Sequence, residues 1–205
     1  MTKRMGFTLV EMLVSLAIFG VISGFVMANL RVGGQGDELR LSSQLVASAI
    51  RRIQTMAVAG QTVYFCRKSG EITGSKLCST GKDTECLEGS CVKETPPGGY
   101  GLHLSSAAGS ERTMITFADL DRDHGYDAGE EFRRDSVSSG TLVGVSTLQP
   151  VTEGKLDIVF APNAMAVYFN QSTEMAIATI TLRHSHTGAA KRVIINSLSG
   201  QISAE

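Results

Sequence analysis

The sequence lacks the motifs that identify common enzyme classes. It has no G-x-S-x-G, no H-E-x-x-H and no phosphate-binding P-loop, and its four histidines are scattered or lie in predicted turns. Tryptophan is absent and glycine occurs 22 times, which indicates many turns and short strands. The formal net charge of −1 provides no global field that would attract nucleic acid or an anionic membrane surface. The chain is therefore not expected to be an enzyme.

The sequence also has no C-x-x-C pair, although it contains four cysteines. They are Cys66, Cys78, Cys86 and Cys91, all within a stretch of 26 residues. An even, clustered set fits a loop stapled by disulfides in an oxidising compartment. Free buried thiols and a zinc site are the alternatives, and zinc sites usually take ligands paired at short spacing. Three disulfide pairings are compatible with the sequence.

A long apolar segment stands near the N-terminus of a chain whose 205 residues suit one domain with an appendage. Residues Phe7–Leu30 contain a single charge, Glu11. As a helix they would extend ~36 Å, enough to cross a hydrocarbon core of ~30 Å. Lys3 and Arg4 precede the segment and predict a cytoplasmic N-terminus. A cleaved secretory signal would need a shorter apolar region and a small-x-small site at its end.

The heptapeptide Met-Gly-Phe-Thr-Leu-Val-Glu, residues 5–11, resembles the class III signal of type IV pilins and type II secretion pseudopilins. The resemblance implies that a prepilin peptidase cuts after Gly6 and methylates the new amine on Phe7. It also implies that Glu11 contacts the N-terminal amine of a neighbouring subunit. Electrostatics favours that role, because a carboxylate in an apolar segment is expensive unless it is paired.

The resemblance also implies partners and a location. The partners are other pilin or pseudopilin subunits, the prepilin peptidase and an inner-membrane assembly platform. The chain would cross the inner (cytoplasmic) membrane once, with its head in the periplasm, and enter a filament. Within the helix, Gly20 and Gly24 form a G-x-x-x-G pair that either permits close helix packing or is simply tolerated.

The fold class expected is α+β, with a long N-terminal helix packed on an antiparallel β-sheet head, as in pilins. We expect a cleaved leader at 1–6, a transmembrane and assembly helix at 7–31, the amphipathic half of the helix at 32–60, and a β-rich head at 61–205 with a Cys-rich loop at 66–99. Glycines in 32–36 predict a break, after which Asp37 would cap the resumed helix and Gly60 would end it.

Alternation and turn residues predict eight strands in the head. They are 62–67, 99–104, 113–117, 141–147, 155–160, 165–169, 176–183 and 191–196, in an antiparallel meander whose last turn is 184–188. Within the pilins, the head resembles the GspH/FimT group of minor subunits. Residues 63–66, the acidic turn 117–130 and the closing segment 197–202 carry that resemblance.

Closely spaced carboxylates in the acidic turn form a candidate calcium site. They occupy positions one, three, five, nine and twelve of a calcium-binding loop, namely Asp119, Asp121, Asp123, Asp127 and Glu130. His124 stands at position six, where glycine is usual, and Gly125 comes next. The alternative is a solvated acidic turn without metal, neutralised by Arg122, Arg133 and Arg134.

These features favour a structural subunit, either a minor pilin of a type IV pilus or a pseudopilin of a type II secretion system. The alternative is a DNA- or surface-binding minor pilin of a competence or adhesion system. Some FimT-like subunits carry a basic Gly-Arg-x-Arg tail for DNA, but here Gly200 is followed by Gln-Ile-Ser, without either arginine. Arg183, Lys191 and Arg192 are the remaining basic cluster. A plain membrane-tethered domain is a third possibility, which the peptidase motif disfavours.

Overall fold

The computed structural model describes residues 8–67, 76–78, 81–87, 89–147, 154–162, 166–173 and 177–205, with backbone alone at 28–35 and 144–147. The chain divides into two compact units, Met1–Asp37 and Glu38–Glu205. The first consists of helix in its described part, and the second combines helix with strands. This α+β arrangement confirms the predicted fold class.

One helix, α1, is assigned from Leu9 to Val58, a length of 50 residues. The predicted break at 32–36 and the predicted N-cap at Asp37 are therefore wrong. Extending an existing helix adds one hydrogen bond per residue without a new nucleus, and this offsets the poor helix propensity of the glycines.

The end of α1 agrees with the prediction. Gly60 has the left-handed φ of 58° that glycine adopts most easily. Its N–H donates to the carbonyl of Ala57, and the N–H of Gln61 donates to the carbonyl of Met56. These two bonds form a Schellman motif, which satisfies carbonyl groups that the helix end leaves without partners.

Eleven strands form three antiparallel sheets in the described residues. The strands are β1 (Val63–Arg67), β2 (Ser90–Glu94), β3 (Gly99–Ser105), β4 (Thr113–Asp119), β5 (Glu131–Ser136), β6 (Thr141–Thr147), β7 (Lys155–Phe160), β8 (Val167–Phe169), β9 (Ile177–His184), β10 (Ala190–Asn196) and β11 (Ile202–Ala204). The sheet orders are β1-β2, β5-β4-β3-β7-β8 and β11-β10-β9-β6. The head is thus not the single meander that was expected, because β6 and β7 join different sheets.

The eight predicted strands are present, whereas β2, β5 and β11 were missed. β5 reads Glu-Phe-Arg-Arg-Asp-Ser and β2 reads Ser-Cys-Val-Lys-Glu, so neither shows the apolar alternation by which strands are recognised. Both pair along a sheet edge, where charged side chains are common. A short 3-10 helix at Asp83–Glu85 precedes β2.

The core of the second unit forms between one face of α1 and the inner faces of the two larger sheets. Val46, Ile50 and Ile53 are fully buried on the helix. Leu41 and Leu45 continue toward the N-terminus the four-residue spacing of Ala49 and Ile53, but they are 65% and 37% exposed. The buried stripe has the helical period of 3.6 residues, so a strict spacing of four drifts off the face.

Arg52 connects the same helix to two strands of the five-stranded sheet, β4 and β5. It is half-buried, and its Nη2 donates to Thr116 Oγ1 at 3.2 Å and to Asp135 Oδ2 at 3.3 Å. Its Nε is buried without a partner among the described residues.

Glu38 joins α1 to two turns of the head. Its Oε1 accepts hydrogen bonds from the Ser138 hydroxyl and from the Gly140 N–H, the latter at 3.2 Å. Its Oε2 lies 3.3 Å from Nε2 of His184. The Nδ1 of that histidine accepts the N–H groups of His186 and Thr187, so the ring proton is on Nε2 and points to Glu38.

We therefore expect Glu38→Ala to lower the free energy of unfolding by about 2–3 kcal/mol, because three donors lose their acceptor. Asp37→Ala, at the exposed neighbouring position, should change it by less than about 0.5 kcal/mol. Urea unfolding of the full chain in detergent, monitored by near-UV circular dichroism, measures both values. Equal losses in the two variants would contradict the assigned role of Glu38.

Candidate functional sites

The predicted processing residues, Gly6 and Phe7, lie outside the described residues. The adjoining residue, Thr8, is the N-cap of α1, because its hydroxyl oxygen accepts the N–H of Glu11 at 3.3 Å. The Glu11 carboxylate in turn accepts the N–H of Thr8 at 3.4 Å. This reciprocal pair is a capping box, a role for Thr8 that the T-x-x-E spacing would have indicated.

The apolar part of α1 is exposed around its whole circumference. The segment Leu9–Met27 is long and apolar enough to cross a membrane, and none of it is buried within the chain. Gly20 and Gly24 are exposed, and apart from the adjoining backbone of α1 no atom of the described residues lies within 4 Å of the position that a Cβ would take on either. Another helix could therefore approach closely at both glycines. The role of this pair in helix packing stays a prediction.

All four cysteines are joined in two disulfides, Cys66–Cys86 and Cys78–Cys91. Each bridge ties one of the two strands, β1 or β2, to the segment that connects them. Cys66 lies directly opposite Cys91 in the β1–β2 ladder, yet the two are not bonded to each other. Register proximity alone would therefore have given the wrong pairing.

Within the acidic turn, residues 119–130 fold over the outer face of the five-stranded sheet. The ring of Tyr126 packs against those of His103 and Phe117, with centroid distances of 4.7 Å and 5.5 Å. His124 stacks on Tyr168 with ring centroids 3.7 Å apart. Aromatic contacts thus hold the turn in place, and sequence analysis had identified none of them. His103 and Phe117 alternate with core residues along β3 and β4. This alternation was the signal that could have placed both rings on the outer face of the sheet, where the turn contacts them.

Two carboxylates of the turn are almost fully buried and accept hydrogen bonds from N–H groups within it. Asp119 accepts the N–H of Arg122 at 2.7 Å and that of His124 at 3.1 Å. Glu130 accepts the N–H of Leu120 at 2.7 Å and that of Asp127 at 3.2 Å. These bonds organise the turn much as a bound ligand would.

Burial perturbs the acidity of both carboxyl groups. It raises the pKa of Glu130 to about 8, and the negative charges of Asp119 and Asp121 act in the same direction. Burial also raises the pKa of Asp119, although the N–H groups of Arg122 and His124 oppose this. A buried carboxyl with a raised pKa is stabilised either by a proton or by a cation.

The turn fits a cation in part. Asp119, Asp121 and Asp123 each place one oxygen within 4.8 Å of the others. His124, at position six, adopts a left-handed φ of 60°, the conformation for which calcium loops use glycine there. Asp127 and Glu130 are not part of this three-oxygen group, and both oxygens of Glu130 already accept N–H groups. Calcium binding by the five predicted residues stays a prediction.

The turn predicts a pH dependence in the presence of chelator. Between pH 4.5 and pH 8, Glu130 is protonated in the folded chain and ionised in the unfolded chain. The unfolded state then binds fewer protons, so the free energy of unfolding should fall as the pH rises through this range. We expect the melting temperature to decrease by several degrees, and Glu130→Gln to flatten this slope. A slope unchanged in the variant would exclude Glu130 as its source.

Calcium, if it binds, should raise the melting temperature, because a ligand of the folded state stabilises it by mass action. The response should be reversed by chelator and abolished by Asp121→Ala, whereas Asp83→Ala, outside the turn, should retain it. The titration extends to millimolar calcium, where extracellular calcium modules bind. A melting temperature that does not change over this range of calcium concentrations would contradict calcium binding and indicate a turn that folds without metal.

Comparisons with known proteins agree with the N-terminal features. Residues 1–27 match the family model of the prokaryotic N-terminal methylation motif. No curated protein and no solved structure gives a significant match. The motif supports a type IV pilin-like protein that a prepilin peptidase processes. Together with the apolar helix, it indicates membrane anchoring.

Proposed function

We propose that the chain is a minor subunit of a type IV pilus or type II secretion pseudopilus, in the GspH/FimT group. It would be cut after Gly6, methylated on Phe7 and inserted into a filament through its N-terminal helix. It would cross the inner membrane once, with its head in the periplasm, until the assembly platform recruits it. The observation that carries this proposal is the methylation motif at residues 1–27, together with the exposed apolar helix that begins within it.

The exposed surface of the helix supports a role in assembly. A segment that is apolar on all sides needs lipid or other helices around it. Gly20 and Gly24 leave room for close approach by a neighbouring helix. Glu11 contributes the charge that would select a cationic partner. Among the described residues, the one side chain that hydrogen-bonds to its carboxylate is that of Thr8, whose hydroxyl donates at 3.3 Å. In the filament, the amine of a neighbouring Phe7 would provide that cation.

Nothing in the described head favours DNA binding over this structural role. Arg192, part of the basic cluster, lies 3.7 Å from the carboxylate of Glu205. A paired arginine releases fewer counterions on binding a phosphate backbone than a free one.

The test separates the charge of Glu11 from its capping role. Glu11→Gln keeps a capping side chain but removes the charge, and Thr8→Ala removes the cap but keeps the charge. We expect Glu11→Gln and Glu11→Val to insert into the membrane normally and to lose at least tenfold in filament incorporation. Thr8→Ala should be incorporated nearly as well as the parent chain. Fractionation of cells into membrane and sheared filaments, with immunoblotting of each fraction, measures both steps.

Normal incorporation of Glu11→Gln would contradict the charge-pairing role. A loss in Thr8→Ala equal to that in Glu11→Gln would indicate that the helix cap, and not the carboxylate charge, is what assembly requires.

A further inference from the structure

Three of the four cysteine sulfurs form one close group, although they belong to two bridges. The Sγ atoms of Cys66, Cys78 and Cys86 all lie within 4.8 Å of one another. The group holds both sulfurs of the Cys66–Cys86 bridge and one sulfur of the Cys78–Cys91 bridge. Heavy atoms are in contact at about 4.0–4.5 Å. The sulfur of Cys78 therefore lies near contact distance from a disulfide of which it is not part.

Backbone hydrogen bonds hold Cys66 and Cys78 side by side without help from sulfur. The N–H of Cys66 donates to the carbonyl of Lys76 at 2.7 Å, and the N–H of Cys78 donates to the carbonyl of Tyr64 at 3.1 Å. These two bonds pair β1 with residues 76–78. Because they do not involve the disulfides, the two cysteines remain neighbours when the bond from Cys78 to its own partner is open.

A shared acceptor holds Cys86 and Cys91 near each other. Both of their N–H groups donate to Asp83, that of Cys86 to the carbonyl oxygen at 3.0 Å and that of Cys91 to the carboxylate Oδ1 at 2.7 Å. The backbone thus places Cys66 beside Cys78 and Cys86 beside Cys91, whereas the disulfides pair these four residues differently. The fold of the loop therefore favours a second pairing of the same sulfurs.

Each bridge joins one buried cysteine to one that solvent reaches. Cys66 and Cys78 are 9% and 4% exposed, whereas Cys86 and Cys91 are half-buried. An external thiolate therefore reaches the second bridge at Cys91, and Cys78 is the thiolate that leaves. A charged sulfur that is kept from water is costly. The released Cys78 is thus driven to react with the disulfide beside it.

We propose that the Cys-rich loop is a thiol–disulfide exchange site, at which a low-molecular-weight monothiol converts the two bridges into the pairing Cys66–Cys78 and Cys86–Cys91. The thiolate of the monothiol bonds to Cys91 Sγ, and the Cys78–Cys91 bond breaks to release Cys78 as a thiolate. Cys78 then bonds to Cys66 Sγ, and the Cys66–Cys86 bond breaks to release Cys86. Cys86 is the favoured leaving thiolate because it is more exposed to water than Cys66.

The last step regenerates the monothiol. The Cys86 thiolate attacks Cys91 Sγ, forms the Cys86–Cys91 bond and displaces the monothiol as a thiolate. Two disulfides within the chain are present before and after, so the exchange consumes neither oxidant nor reductant. It unties β1 from the end of the 3-10 helix and ties it to the neighbouring segment that holds Cys78. The loop thus has two covalently closed forms that a thiol interconverts.

The first experiment uses two single variants of the full chain in detergent. Cys91→Ser frees the thiol of Cys78, which belongs to the three-sulfur group, whereas the matched control Cys78→Ser frees that of Cys91, which does not. Each chain is incubated without oxygen at pH 8, its free thiols are alkylated, and linked peptides are identified by mass spectrometry. We expect the Cys66–Cys78 link in Cys91→Ser to be at least tenfold more abundant than the Cys66–Cys91 link in Cys78→Ser.

The second experiment needs no substitution, so it stands even if a variant loses its near-UV circular dichroism signal. The parent chain is incubated with less than one equivalent of 2-mercaptoethanol, with and without urea, and is then quenched with acid and alkylated. Trypsin and a glutamate-specific protease place each cysteine in its own peptide. In the folded chain, the Cys66–Cys78 and Cys86–Cys91 links should appear together and at least tenfold above the Cys66–Cys91 link. In urea, all three pairings should appear.

Several results would overturn the proposal. One is that Cys91→Ser keeps only the Cys66–Cys86 link, and another is that Cys78 links to Cys86 instead of Cys66. Equal exchange in the control Cys78→Ser would show that any free thiol in the loop suffices. The same mixture of links in the folded parent and in urea would show that the fold does not direct the exchange.

Discussion

Helix α1 must satisfy two different environments with one continuous backbone, and the rest of the structure depends on how it does so. Over Leu9–Met27 its side chains are apolar on every side and exposed, so the segment is suited to lipid or to other helices. Over Glu38–Val58 it buries one stripe, including Ile50 and Ile53, against the sheets. Because the head has no other helix of this length among its described residues, the buried stripe of α1 is what closes its core.

Two irregular segments complete the head, and each is held by a different kind of contact. Disulfides hold the segment around β2, which has little apolar surface of its own. Aromatic stacking and buried carboxylates hold the acidic turn. The two segments meet where Gly98 lies against Asp119, and a Cβ at Gly98 would overlap that carboxylate. Glycine at this position therefore matters for both segments, since it lets the exit of the Cys-rich loop pack on the turn.

Local signals predicted the parts of the fold that depend on local chemistry. Regular alternation located β6 and β7 at their observed bounds, and the left-handed preference of glycine located the end of α1 at Gly60. The parts that were missed depend on tertiary contacts. β5 is highly charged and forms because β4 provides a strand for it to pair with. The role of Glu38 could not be predicted from the sequence, because the hydroxyl that it binds is 100 residues away. His184 was expected on an exposed turn, but its place in β9 and its contact with Glu38 bury it.

The N-terminal motif was the most specific signal in the sequence because a peptidase reads a short linear segment rather than a folded surface. The mature N-terminus therefore tests the account most directly. The chain, expressed in cells with and without a prepilin peptidase, is purified from membranes and its N-terminal peptide is analysed by mass spectrometry. The account predicts a chain that begins at Phe7 and carries one added methyl group only when the peptidase is present. An unprocessed N-terminus at Met1 in both cells, or a cut near Asn29, would contradict it.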